Sequence, residues 1–172
     1  MDMVAYKSNS VLPKDAAAGK RFAIVVSRYH EELTQELLNG AQNALKALGA
    51  KDDDVSLFWV PGAFEIPAAA RAVSQHREVD AIICLGVILK GETPHNAYIA
   101  REVARGIAQI HAATGIPAAF GVLTPDTLDQ AKARAGGAKG NKGAEAAESA
   151  VAMIHVLDEI KKGPKKPKSV GF

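Results

Sequence analysis

The stretch Gly86-Val87-Ile88-Leu89-Lys90-Gly91-Glu92-Thr93-Pro94-His95 carries an apolar run into a glycine-punctuated loop that delivers a carboxylate, a hydroxyl and an imidazole. Imidazole is the side chain that ordinarily changes charge near neutral pH, so His95 is a candidate for moving protons. A strand that runs through a glycine turn into a helix start also presents free amide groups to an anion. The spacing Gly86-x4-Gly91 is that of a P-loop, but Glu92 stands where that motif needs a lysine. A carboxylate there would repel a nucleotide's β- and γ-phosphates, which excludes nucleoside triphosphate binding.

Two further segments carry polar chemistry. Arg28-Tyr29-His30 follows the first apolar run, and Pro61-Gly62-Ala63-Phe64-Glu65-Ile66-Pro67 follows the second. Tyr29 offers a face on which a flat ring can stack, and Glu65 can accept hydrogen bonds from sugar-like hydroxyls. Plainer roles exist for both: Tyr29 as a cap on the core, and Glu65 as a helix N-terminal carboxylate favoured by the dipole. The third segment, Arg134 to Gly143 (RAGGAKGNKG), holds four glycines. They would let backbone amides approach a ligand while Arg134 offers a planar fork suited to phosphate. A flexible connection between helices is the alternative.

These residues must be held by a frame, and the hydrophobic pattern describes it. Phe22–Ser27 is an unbroken apolar run of the kind buried on both faces of a parallel sheet. Leu33, Leu37, Ala41, Ala44, Leu45 and Leu48 follow at helical spacing, closed by Gly49. Further strands are expected at Val55–Val60, Ala81–Gly86 and Pro117–Val122. Helices are expected from Ile66 to His76, after His95, from Asp126 to about Ala135, and from Gly143 to Ile160. Ile99, Val103, Ile107 and Ile110 would face inward on the third helix, and Ala147, Val151, Ile154 and Leu157 on the last.

The order β-α-β-α-β-α-β-α-α implies a parallel sheet covered by helices on both faces. The expected fold is an α/β, flavodoxin-like three-layer sandwich whose four strands lie in the order 2-1-3-4. In that architecture the residues after each strand share one edge of the sheet. Residues 1–20 lack a clear period and read as an N-terminal extension, residues 21–160 as one domain, and residues 161–172 as a basic disordered tail.

Composition narrows the function classes. The chain has 172 residues and a formal charge of +2, but Lys161, Lys162, Lys165, Lys166 and Lys168 all lie in the tail. Residues 1–160 hold 16 basic and 19 acidic side chains, a net charge of −3, so the body is no nucleic-acid surface. Cys84 is the single cysteine and sits inside an apolar run, which leaves no disulfide within one chain and reads as a small buried hydrophobe. No apolar run reaches the length of a membrane span. Met1-Asp2-Met3 opens without the regions of a signal peptide, so a cytoplasmic protein is expected.

PGAFEIP (61–67), the GxxxxGxTxH loop (86–95), FGVLT (120–124) and RAGGAKGNKG (134–143) together resemble lumazine synthase, in order and at its spacing, across residues 22–160. The resemblance implies condensation of 5-amino-6-(D-ribitylamino)uracil with 3,4-dihydroxy-2-butanone 4-phosphate, the penultimate step of riboflavin synthesis. It implies that Tyr29 stacks on the pyrimidine, that Ala63, Phe64 and Glu65 hold the ribityl chain, and that the backbone of Val87, Ile88 and Leu89 reads the ring edge. Glu92 and Thr93 would meet the phosphate-bearing substrate through their amides, and His95 would be the acid–base residue. Phe120, Arg134 and Lys142 would reach the site from an adjoining chain, Arg134 at the phosphate. Neither a metal nor an organic cofactor is required.

The same resemblance implies a homo-oligomer, a pentamer or twelve pentamers in an icosahedral cage; the short Arg134–Gly143 segment matches the cage-forming relatives. In such cages the C-termini face the lumen, where the lysine-rich tail could hold riboflavin synthase or other acidic cargo. Tyr29-His30 stands where Phe-Asn is usual, and Asn96-Ala97 where an aromatic and an acid are usual, which alters the setting of His95. Two rivals remain: a non-catalytic shell protein of this fold, and an FMN carrier. The carrier would need a Ser/Thr-rich loop where Arg28-Tyr29-His30 stands.

Overall fold

A computed structural model describes residues 12–163. Its central sheet has four parallel strands, β1 (Phe22–Ser27), β2 (Val55–Val60), β3 (Ala81–Val87) and β4 (Ala118–Leu123), in the order β2-β1-β3-β4. The expected flavodoxin-like sandwich is therefore the observed one. The two inner strands β1 and β3 are buried along their whole length, which is why they read as continuous apolar runs rather than alternating ones.

Helices α1 (Glu31–Ala47) and α5 (Lys142–Lys162) cover one face, meeting Phe22, Ile24, Val26, Ile83 and Leu85. Helices α2 (Ile66–His76) and α3 (His95–Thr114) cover the other, meeting Ala23, Val25, Ile82 and Cys84. Burial pushes the Cys84 thiol up to about 12, so it packs as a hydrophobe and supplies no thiolate at neutral pH. A short α4 (Leu128–Arg134) leads into a small antiparallel hairpin, β5 (Ala135–Gly137) and β6 (Gly140–Asn141), which the sequence pattern did not reveal. Leu157 is only half-buried, and α5 runs two residues beyond Ile160.

The segment before β1 is better integrated than its lack of periodicity suggests. Ala16 and Ala17 lie in the core. The Ala17 amide donates to the Leu48 carbonyl at 2.8 Å, and His155 Nε2 lies 2.8 Å from the Ala16 carbonyl oxygen. Lys20 pairs with Asp158 at 3.1 Å, holding that carboxyl below its ordinary range. A depressed carboxyl stabilises the fold at neutral pH, and this contribution is lost as pH falls through its folded pKa. Residues 164–172, most of the expected tail, lie outside the described residues. Among the described residues no helix is long and apolar enough to cross a membrane.

Candidate active site

The sheet order sends the chain from β1 outward to β2 and then back across to β3, so a crevice opens between the carboxyl ends of β1 and β3. Main-chain hydrogen bonds fix the loops that border it. Arg28 N–H donates to Val60 O at 2.8 Å and Tyr29 N–H to Pro61 O at 3.2 Å, tying the end of β1 to the loop after β2. Ile88 N–H donates to Leu123 O at 2.8 Å and Lys90 N–H to Pro125 O at 3.1 Å, tying the loop after β3 to that after β4. A Lys90–Asp126 ion pair at 3.3 Å adds to the second tie.

The result is a cavity of about 400 Å³, a volume suited to one small organic ligand. Its walls bring together Tyr29, Ala63, Phe64, Glu65, Val87, Ile88, Leu89, Thr93 and His95. Three strand ends supply them, as the shared-edge argument predicts. Tyr29 and Phe64 are 68% and 59% exposed, large rings left open at the mouth instead of capping the core.

Glu65 occupies the position before α2, where a carboxylate suits the helix dipole. Its side chain makes no capping hydrogen bond there and instead lines the cavity. It folds over Gly62, where any Cβ would lie 3.0 Å from Oε2, so a glycine at 62 gives the carboxylate its place. His95 is the first residue of α3 and is exposed. Gly86 does not break β3, which continues through Val87. It lets β3 pack closely beneath the start of α2: a Cβ there would meet Ile66 Cδ1 at 3.0 Å and Ser27 Oγ at 3.1 Å.

Four expected residues stand apart from this cavity in the single chain. Glu92 is exposed on the loop without lining it, and Phe120, Arg134 and Lys142 lie elsewhere. Phe120 is 42% exposed on the edge strand β4. Arg134 donates from Nη1 to the Gln130 carbonyl at 3.2 Å, and Lys142 pairs with Glu145.

Two of the four glycines in the 134–143 segment are taken up by packing, while Gly136 and Gly140 stand exposed with no atom nearer than 3.6 Å to a would-be Cβ. A Cβ on Gly143 would fall on the Leu37 carbonyl, and one on Gly137 would come 2.7 Å from the Lys132 carbonyl. The Lys139 amide already donates to Ala133 O at 2.8 Å. Asn141 caps α5 through its Oδ1, which accepts from the amides of Gly143 at 2.9 Å and Ala144 at 3.1 Å, while its Nδ2 donates to the Glu36 carbonyl at 2.8 Å. This segment locks α5 against α1.

The cavity also includes His30, Gly62, Gly91, Asn96 and Ile99, which the site prediction left out. Ile99 has the helical spacing of a core residue, and only its place near the start of α3 distinguishes it from Val103 and Ile107.

A flavodoxin-like sheet with a small-molecule-sized cavity at its switch point, lined by Tyr29, Phe64, Glu65 and His95, defines the class: an α/β protein with a crevice at the carboxyl ends of its strands. Within that class the sequence model of the 6,7-dimethyl-8-ribityllumazine synthase family matches residues 19–158. The chain belongs to this family.

Proposed function

We propose that the protein condenses 5-amino-6-(D-ribitylamino)uracil with 3,4-dihydroxy-2-butanone 4-phosphate to give 6,7-dimethyl-8-ribityllumazine, inorganic phosphate and water. The observation that carries this reading is the convergence of Tyr29, Glu65 and His95 on one cavity in a chain of this family. Each matches one part of the chemistry: a flat pyrimidine, a polyol chain and a set of proton transfers.

The arylamine is already nucleophilic, so no activated side chain need attack. Holding amine and ketone together supplies much of the acceleration. The 5-amino nitrogen adds to the ketone carbonyl and water leaves, giving an imine. Loss of a proton from the carbon chain expels phosphate. The enol left by that elimination takes a proton on its terminal carbon and becomes a new ketone. The ribityl-bearing nitrogen adds to this carbonyl, and loss of a second water closes the ring. His95 stands where it can take and return those protons. Glu65 accepts hydrogen bonds from the ribityl hydroxyls, and the amides of Glu92 and Thr93 face the phosphorylated partner.

Phe120, Arg134 and Lys142 complete the site from an adjoining chain in this reading, with Arg134 neutralising the phosphate as it leaves. It makes the protein a cytoplasmic homo-oligomer, a pentamer or a cage of twelve pentamers, that needs no cofactor. The test is turnover by the purified protein with both substrates, followed by appearance of the lumazine product and released phosphate. Production of both in equal amounts is expected. A well-assembled protein that binds the pyrimidine but forms no lumazine would contradict it and leave a shell role.

A further inference from the structure

We propose that His30 is a positioning residue for ring recognition, fixing the plane of the Tyr29 ring on which a flat heteroaromatic substrate lies. The inference rests on the reaction proposed above and deepens it by naming what orients the pyrimidine. His30 lines the cavity beside Tyr29. Among the described residues it is the one non-glycine with positive φ, standing at φ 60° and ψ 48°. The rings of Tyr29 and His30 meet with centroids 4.8 Å apart and planes at 74°.

These facts are linked. Consecutive side chains of an extended segment point to opposite sides. A left-handed step at His30 breaks that alternation and brings its imidazole against its neighbour's ring. Such a conformation is unfavourable for a residue with a Cβ and persists only where the surroundings impose it. The residue is anchored at the start of α1: the amides of Leu33 and Thr34 donate to the His30 carbonyl at 2.9 and 3.1 Å. These bonds hold the main chain from which the imidazole projects.

Tyr29 needs such a brace. Its main chain is tied to Pro61, but its exposed side chain is not fixed by burial. A nearly perpendicular aromatic contact is a favoured geometry and limits the ring's rotation. A stacking surface already held in place loses less rotamer entropy when a ligand settles on it. The benefit falls on a planar ring and not on the phosphorylated ketone, which has none.

The test uses the full-length protein with His30→Asn and His30→Gly, two residues that tolerate the left-handed conformation and carry no ring. Riboflavin, a flat ring on a ribityl chain, serves as a probe of binding that does not depend on turnover. Its dissociation constant, read from quenching of flavin fluorescence, should rise roughly 3- to 10-fold in both variants. KM for the pyrimidine should rise by a similar factor, KM for the phosphorylated ketone should not, and the melting temperature should not fall. Unchanged riboflavin affinity in both variants, or equal rises in the two KM values, would overturn the proposal. If the wild type binds riboflavin but makes no lumazine, the reaction proposed above fails, and the riboflavin constants still decide the role of His30. A wild type that neither turns over nor binds riboflavin would overturn both.

Discussion

The segments Gly86–His95 and Arg134–Gly143 are each ten residues long, each contains glycines, and each leads into a long helix. In the first, Gly91 has no atom within 4 Å of a would-be Cβ and lines the cavity. In the second, Gly137 and Gly143 press against main-chain atoms of Lys132 and Leu37. Gly91 leaves its backbone open at the cavity, whereas Gly137 and Gly143, like Gly86 in the first segment, use the missing side chain for close packing. Glycine density alone does not distinguish the two uses; what lies opposite the missing Cβ does.

That contrast is most easily broken by adding a methyl group to each side. Gly143→Ala drives a Cβ into the Leu37 carbonyl, and backbone of a packed helix cannot yield as a side-chain tip can. A loss of about 3 kcal/mol, or failure to accumulate folded protein, is expected. Gly91→Ala should change stability by no more than ~0.5 kcal/mol. Urea unfolding midpoints check the pair, and similar losses in both would erase the distinction.

The chemistry should divide the same way. His95→Ala is expected to lower kcat by roughly 100-fold with an unchanged unfolding midpoint, since the side chain is exposed and lies at a helix start. An unaltered kcat would remove His95 from the mechanism. On the other segment, Asn141→Ala deletes the cap on α5 and the bond to the Glu36 carbonyl. It should cost about 1–2 kcal/mol in urea unfolding, and Asn141→Ser should recover the capping share alone. Full stability in Asn141→Ala would show that the clamp between α1 and α5 lies elsewhere.

The same contrast explains what could be read from residues alone. Phe22–Ser27 and Ala81–Leu85 announce buried strands because both of their faces are apolar, and the alternation of strand and helix then fixes where their ends meet. Tyr29, Glu65 and His95 follow as neighbours from that topology. The roles of Gly137 and Gly143 do not follow, because a glycine has no side chain to indicate which partner it approaches. Ala16 and Ala17 join the core through a turn with no period, held by Leu48 and His155 from distant positions. The left-handed backbone of His30 lies at the start of α1, and a histidine at that position does not signal it. Ile99 shows a core spacing until the end of the helix is placed in space.

In the proposed reaction, the cavity of one chain works with the Arg134 segment of another. Arg134→Ala chains keep His95, and His95→Ala chains keep Arg134, so each pure oligomer lacks one half of every site. Unfolding the two together, refolding them in equal amounts and assaying lumazine formation tests the division directly. Random assembly around a ring should rebuild about one site in four from an intact cavity and an intact neighbour, and turnover should rise well above that of either parent. Verified mixed oligomers with no more activity than their parents would contradict a site shared between chains.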